Sequence, residues 1–150
     1  MVFTRVDRRT QQKVSAASFQ LHPQLEADTF AVCTLRLCQC LLMNDTRFPW
    51  LILVPALDGL RELHDVPAPD RTALFDDIEQ VSRALGALAE PFKINVAALG
   101  NQVPQLHIHV IARQQDDDAW PNPVWGSGAA VPYTADAAAD LTAKLRASLI

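Results

Sequence analysis

The pattern of apolar and polar positions predicts two neighbouring strands in the first half of the chain. Residues 35–45 alternate between the two classes at first and end in Asn-Asp, which is a turn signal. Residues 48–56 form a nearly continuous apolar run bounded by prolines, which is typical of a strand covered on both faces. Because only residues 44–47 connect the two runs, we expect an antiparallel pair.

A helical period predicts the main helix over about residues 70–90. Asp70 opens this segment and Pro91 stops it. Apolar residues recur inside it at spacings of three and four, which predicts one buried stripe. The members of this stripe are Leu74, Ile78, Val81, Leu85 and Leu88. The residues predicted on the outer side are Asp76, Asp77, Glu79 and Arg83.

Shorter patterns complete the predicted order of elements. Residues 21–29 are compatible with a short helix, and residues 92–99 and 105–113 are predicted as strands. Thr134 is placed to cap a final helix that reaches about residue 149. The order strand, strand, helix, strand, strand, helix favours an antiparallel α+β domain over a βαβ chain.

Length and composition predict one globular domain. With 150 residues, of which 49% are hydrophobic and 20% charged, the chain suits a single domain over residues 1–150. We expect its core over about residues 19–125. Residues 1–17 are polar and basic, which is compatible either with a mobile leader or with a first short amphipathic helical segment.

Charge and cysteine usage narrow the expected partners and compartment. The formal net charge of -4 argues against a nucleic-acid-binding protein, which would usually present a basic face. No apolar run reaches the roughly 18 residues of a membrane span, and the N-terminus lacks the apolar segment of a secretory signal. The chain has three cysteines, Cys33, Cys38 and Cys40. Cys38 and Cys40 would share one strand face, which is a poor geometry for a disulfide. We therefore expect reduced core thiols in a cytoplasmic protein.

One predicted strand carries a row of polar side chains. Side chains alternate between the faces of a strand, so Gln105, His107 and His109 point one way and the apolar residues between them point into a core. Neighbours in the row are about 7 Å apart. Adjacent imidazoles disfavour joint protonation, so one can stay neutral near pH 7 and act as a nucleophile or base. The row is therefore the candidate catalytic site.

Two other interpretations of this row stay open at the level of the residues. The histidines could simply line a solvated sheet face. They could also form a two-ligand unit for a metal ion, which would make the protein a metal-dependent hydrolase that uses His107 and His109. Further ligands are scarce, because His22 lies far upstream and His64 lies in a predicted loop.

The stretch Gln105-Leu106-His107-Ile108-His109-Val110-Ile111 resembles the signature of the histidine-triad (HIT) family of nucleotide hydrolases and transferases. That signature is His-x-His-x-His followed by two apolar residues, and its first histidine is Gln105 here. The turn at residues 100–104 is similar to the family's Gly-Gln-Ser/Thr-Val turn, and residues 43–55 are similar to its early hairpin. The likeness covers roughly residues 35–125.

The resemblance implies a fold and a mechanism. The fold is an antiparallel five-stranded meander sheet with the main helix and a C-terminal helix. In the family, the histidine that matches His107 attacks the α-phosphorus of a nucleotide and forms a nucleotidyl-histidine intermediate, which water or another acceptor resolves. His109 would donate to a phosphate oxygen, and Gln105 would contact the leaving group or a phosphate oxygen.

The resemblance also implies a nucleotide-binding set. Asn44 and Asn95 match positions that contact ribose, and Asn101 and Gln102 would contact phosphates. Gln102 itself departs from the family pattern, because it stands where a hydroxyl usually meets phosphate. Trp50 departs as well, since many members have a histidine there, and without that histidine we expect no structural zinc and no other cofactor.

The implied activity is cleavage at the α-phosphate of a dinucleoside polyphosphate, such as diadenosine tetraphosphate, or of a nucleoside phosphoramidate. The alternative is a nucleotide-binding protein with weak or lost catalysis, because Gln105 cannot act as a general acid. By resemblance we also expect a homodimer. Its candidate contacts are residues 92–99 and the helix at 70–90.

Overall fold

The computed structural model describes residues 19–150, and the leader expected at residues 1–17 lies outside this range. The helices are α1 (Pro23–Asp28), α2 (Arg71–Ala89) and α3 (Ala135–Leu149). The strands are β1 (Thr29–Thr34), β2 (Cys38–Met43), β3 (Trp50–Pro55), β4 (Lys93–Ala97) and β5 (Ile108–Arg113). Two 3₁₀ turns, Leu63–Asp65 and Ala68–Asp70, lie in the predicted loop before α2.

The five strands form one antiparallel sheet in the order β1-β2-β3-β5-β4. This confirms the predicted α+β class, the five-stranded antiparallel sheet, the main helix and the C-terminal helix. The strand order departs from a simple meander at one point. The chain crosses over through α2 to β4 at the edge and then returns through β5, which lies between β4 and β3.

The structure has one strand that the sequence did not predict, and one predicted strand begins later than expected. The pattern did not reveal β1, because only Val32 within it is fully buried and no clean alternation results. The strand predicted over residues 105–113 begins at Ile108. The residues before it are drawn away from the ladder, since the backbone N–H of Leu106 donates to the carbonyl of Leu60 at 2.9 Å.

The main core lies between the sheet and the two long helices. Leu106, Ile108, Val110 and Ala112 all point into it, as the alternation predicts. The cysteines of β2 lie there too and are fully buried, and all three cysteines are free thiols. The core extends beyond the predicted limit at residue 125, because Leu145 and Leu149 of α3 belong to it. Thr134 caps α3 by accepting from the Ala137 amide at 3.2 Å.

Two residues of α2 differ in exposure from what the helical pattern predicts. Leu88 is 45% exposed, whereas Asp77, predicted to face solvent, is 1% exposed. The Asp77 carboxylate accepts from the backbone N–H groups of Leu37 at 2.9 Å and of Cys38 at 2.8 Å. These amides belong to the turn into β2, and a buried amide needs an acceptor. The carboxylate is therefore a structural link between helix and sheet.

The opposite face of the sheet is covered by α1 and by the irregular segment that follows β5. A second apolar cluster forms there around Trp50, Ile52 and Ile111 of the sheet, with Leu25 of α1 and Val124 packed against them. His107 and His109 lie on this face, so the candidate site is built between the sheet and this thinner layer. Within residues 19–150, no helix is long and apolar enough to span a membrane.

Candidate functional site

His107 and His109 lie together on the thinly covered face of the sheet. Their ring centroids are 4.8 Å apart with an interplanar angle of 73°, and each residue is 5% exposed. His109 belongs to β5 opposite Ile52 of β3, and His107 lies just before β5. The structure therefore brings together the two imidazoles that the sequence predicts as neighbours.

His107 is held in one tautomer by the backbone. Its Nδ1 lies 2.7 Å from the carbonyl oxygen of Gln105. A carbonyl only accepts hydrogen bonds, so Nδ1 carries a proton, and in the neutral form of the ring the lone pair is on Nε2. A neutral imidazole with a free Nε2 is a competent nucleophile.

His109 has hydrogen-bond partners on both ring nitrogens. The indole Nε1–H of Trp50 donates to His109 Nδ1 at 3.1 Å, and His109 Nε2 lies 3.2 Å from the Leu99 carbonyl oxygen. Burial lowers the pKa of His109 from 6.5 to about 4, with the nearby His107 acting in the same direction and the Leu99 carbonyl against it. His109 is therefore a neutral ring near pH 7.

Gln105 connects the strand to the segment before α1. Its Oε1 accepts from the His22 backbone N–H at 2.9 Å, and its Nε2 donates to the Gln20 carbonyl at 2.9 Å. Both ends of the amide are thus used by the protein itself. Gln105 does line a cavity beside His107, but its side chain holds the N-terminal wall of the site in place.

Two cavities meet at His107. The larger has a volume of about 290 Å³ and is mostly apolar in its lining. It is lined by Gln24, Leu25, Asp28, Thr29, Met43, Trp50, Ile52, Leu99, Asn101, Gln102, Val103, His107, His109 and Trp125. The smaller has a volume of about 130 Å³ and is more polar. It is lined by Arg61, Glu62, Ala98, Gly100, Asn101, Pro104, Gln105, Leu106 and His107.

The four predicted nucleotide-binding residues divide into two groups. Asn101 and Gln102 line the larger cavity next to the histidines. Asn44 and Asn95 line neither of the two cavities. The Asn44 side chain accepts from the Tyr133 amide at 2.9 Å, and that of Asn95 accepts from the buried guanidinium of Arg113 at 2.9 Å. The amide oxygens of Asn44 and Asn95 are thus bonded to other parts of the protein, and the ribose contacts stay a prediction.

Two residues of the larger cavity were not among the predicted catalytic and nucleotide-binding residues. Asp28, at the end of α1, contributes the one carboxylate among the residues that line this cavity. Trp125 packs edge-on against His109, with ring centroids 4.9 Å apart. The Trp-Pro-rich composition of residues 120–126 was the available signal. Trp120 lies elsewhere and packs on Phe92 at 5.3 Å.

Gly100 allows the turn before β5 to approach the histidine pair. A Cβ atom at this position would lie 2.7 Å from the Val103 carbonyl oxygen and 3.5 Å from Cε1 of His107. The first distance is shorter than real contacts, so any larger residue would move the turn that carries Asn101 and Gln102.

A buried ion pair fixes the segment that carries Trp125. Arg113, at the end of β5, donates from Nε to Asp117 at 2.7 Å and from Nη2 to the Asn122 carbonyl at 2.9 Å. The hydrogen bond from Arg113 lowers the pKa of Asp117, although burial opposes the shift. This pair therefore orients one wall of the larger cavity without touching it.

A protein metal site needs three or four ligand side chains close together. Within the range covered by the structure, no group of three or more His, Cys, Asp or Glu side chains is arranged to hold a metal ion. His107 and His109 are close together, but Nδ1 of each ring is already engaged by Gln105 and Trp50 respectively.

Comparisons with known proteins agree with this geometry. The HIT domain family matches over residues 24–116. A histidine triad protein from Marinobacter aquaeolei VT8 is 48% identical, with a TM-score of 0.84 over 87% of this chain and 96% of that one. One from Sinorhizobium meliloti 1021 is 41% identical, with a TM-score of 0.87 over 90% and 100%. One from Bradyrhizobium japonicum is 39% identical, with a TM-score of 0.85 over 88% and 98%.

None of the curated proteins compared with this chain matches it. The family match nevertheless spans more than half of the sequence. It includes the two histidines and the turn at residues 100–104, which lines both cavities. The structural neighbours cover close to nine-tenths of the chain, which is more than the family match covers. The chain therefore belongs to the HIT domain family of histidine-triad proteins.

Proposed function

We propose that this protein is a nucleotide hydrolase or nucleotidyl transferase that cleaves at an α-phosphate, with His107 as the nucleophile. The HIT family includes nucleotide hydrolases and transferases. The observation that carries the proposal is the bond between His107 Nδ1 and the Gln105 carbonyl at 2.7 Å. In the neutral ring this bond leaves the lone pair on Nε2, as an attacking group requires, and His107 lines both cavities.

The two cavities suit the two halves of such a substrate. The larger one, with its apolar lining and aromatic Trp125, has the size and chemistry to hold a nucleoside. Asn101 lines both cavities and Gln102 lines the larger, so their amides are placed to contact phosphates beside His107. We propose a dinucleoside polyphosphate, such as diadenosine tetraphosphate, or a nucleoside phosphoramidate as substrate.

The direct test is turnover of diadenosine tetraphosphate and adenosine phosphoramidate by the full-length chain and by His107→Ala. We expect the variant to lose at least about 10³-fold in kcat/KM, because it lacks the nucleophile. His64→Ala is the control, since it removes an exposed histidine that lines neither cavity. Equal turnover by His107→Ala, or turnover of neither substrate by the wild type, would refute the proposal.

A second candidate function is nucleotide binding with weak or lost catalysis. The observation in its favour is that Gln105, in the position of the first triad histidine, uses its amide to hold residues 20–22. Calorimetry with AMP distinguishes the two functions when it is run beside the turnover assay. Binding of AMP without turnover of either substrate supports this second candidate.

We also propose that the protein acts as a homodimer in the cytoplasm. The edge strand β4 presents Val96 at 48% exposure and is preceded by Phe92 at 61%, while α2 presents Phe75 at 68%. An unpaired edge with exposed apolar residues is suited to pairing with a second copy. Light scattering should therefore give twice the chain mass, and Val96→Lys should give the monomer mass. A monomeric wild type would contradict this arrangement.

A further inference from the structure

We propose that Trp50 is a positioning residue that fixes His109 as a neutral imidazole with its proton on Nε2. In this state His109 can donate a hydrogen bond but cannot donate a proton to the reaction. Trp50 stands at the start of β3, diagonally across from His109 on the same face of the sheet. At such diagonal positions a large aromatic side chain reaches its neighbour.

The two hydrogen-bond partners of His109 demand the same tautomer. An indole N–H has one proton and only donates, so at 3.1 Å from Trp50 Nε1 the Nδ1 atom of His109 must accept. A carbonyl only accepts, so at 3.2 Å from the Leu99 oxygen the Nε2 atom must carry the proton. One donor and one acceptor on opposite sides of the ring therefore specify one neutral form.

The same contacts oppose protonation of His109. A second proton would lie on Nδ1 and point at the indole N–H, which would leave two donors facing each other. His109 and Trp50 are each 5% exposed, so little water reaches these two donors and the unmade hydrogen bonds oppose protonation. The titratable groups nearest to the ring are His107, in contact with it, and Asp28 of α1 across the larger cavity. The burial that lowers the pKa of His109 acts in the same direction as the indole.

The consequence concerns the leaving group, and this step rests on the proposed function. His107 Nε2 forms a bond to the α-phosphorus, and the bond from phosphorus to the leaving atom breaks with its electron pair. Gln105 has no transferable proton, and His109 keeps its own. A leaving phosphate can depart as an anion, whereas an amine must first gain a proton. Water then attacks phosphorus, the electron pair returns to His107 Nε2, and the proton of the water goes to solvent.

The site should therefore prefer phosphoanhydrides to phosphoramidates. The expected preference in kcat/KM is roughly 10²-fold, which is what one missing general acid usually costs. Arg61 lies in the smaller cavity beside His107, where its charge complements an anionic leaving group. Glu62, in the same cavity, is the one carboxylate among the residues that line it.

The tautomer is tested without any substrate, by nitrogen-15 NMR of the uniformly labelled, nucleotide-free chain between pH 5 and 8. We expect His109 to show a protonated Nε2 and an unprotonated Nδ1 throughout. In Trp50→Phe only the Leu99 carbonyl still favours the proton on Nε2, so the other tautomer should become measurable and the ring should titrate at higher pH. The control is Trp125→Phe, because Trp125 packs on the same ring edge-on and the loss of its indole should leave the tautomer unchanged.

The outcomes separate this inference from the proposed function. A wild-type His109 with a proton on Nδ1, or one that titrates near its ordinary pKa of about 6.5, overturns the role of Trp50. This wild-type measurement decides the matter even if Trp50→Phe does not fold. Turnover of adenosine phosphoramidate as fast as diadenosine tetraphosphate overturns the leaving-group preference. If neither substrate is turned over but the NMR spectrum of His109 is as expected, the proposed function is wrong and the role of Trp50 in fixing the tautomer is supported.

Discussion

The side chain of Gln105 binds the backbone of His22 across 83 positions of sequence, with Oε1 accepting from the His22 N–H at 2.9 Å. Its other end donates to the Gln20 carbonyl, so one amide fastens the segment that leads into α1. That helix forms a wall of the larger cavity through Gln24, Leu25 and Asp28. The residue in the first triad position therefore controls the shape of the site through its hold on α1.

Gln105→Ala tests this link. We expect a loss of about 1–2 kcal/mol in the free energy of unfolding, since two hydrogen bonds disappear. We expect AMP to bind roughly 5- to 10-fold more weakly, because α1 is no longer held against the cavity. Amide hydrogen exchange at His22 should accelerate. Gln102→Ala is the control for stability and exchange alone, as its exposed side chain lines the cavity without holding residues 20–22. Unchanged exchange in Gln105→Ala would contradict the link.

Asp77 offers a test of the buried bridge between α2 and the sheet. Asp77→Ala removes the acceptor of two backbone amides, those of Leu37 and Cys38. We expect a loss of about 3 kcal/mol, because both bonds involve a carboxylate and the Cys38 amide stays buried without an acceptor. Asp76→Ala should cost less than about 0.5 kcal/mol, since its ion pair with Arg36 is exposed. Denaturant unfolding that gives equal losses for the two variants would show that the bridge contributes little.

The pH dependence of stability follows from His109. Burial lowers its pKa to about 4 in the folded protein, while an unfolded histidine titrates near 6.5. Between these values the unfolded chain binds more protons than the folded protein. The contribution of His109 to the free energy of unfolding is therefore fully present above about pH 6.5 and decreases as the pH is lowered. The His109 contribution should decrease by an amount on the order of 3 kcal/mol and change little below pH 4.

Denaturant unfolding between pH 7.5 and 4 measures this slope. His109→Gln should remove it, because the variant has no group that titrates in this window at position 109. His64→Gln should retain it, since the His64 side chain is largely exposed and lines neither cavity. A slope of the same size in wild type and His109→Gln would assign the effect to other groups.

The helices and the core face of β5 were predictable because their signals are local. The predicted limits of the main helix lie within about a residue of Arg71–Ala89, and Thr134 caps α3 as expected. The site was predictable only in part. The alternation in β5 placed His107 beside His109, but the partner of Gln105 lies 83 residues away in the sequence and that of Asn44 lies 89 residues away. No local pattern specifies such contacts, so the sequence did not reveal that the amide oxygens of Asn44 and Asn95 bond within the protein.

Two glycine substitutions distinguish a steric requirement at the site from the general effect of glycine on stability. In Gly100→Ala the new Cβ would meet the Val103 carbonyl at 2.7 Å and Cε1 of His107 at 3.5 Å. We expect a loss of about 1–3 kcal/mol in stability, as for overpacking elsewhere, and a fall of roughly tenfold in kcat/KM as the turn shifts. Gly86→Ala is the control within α2, where a Cβ would meet nothing within 4 Å. It should gain about 0.5–1 kcal/mol from improved helix propensity and keep full turnover. If Gly100→Ala behaves like Gly86→Ala, the turn has room to spare and the close approach to His107 is not what selects glycine there.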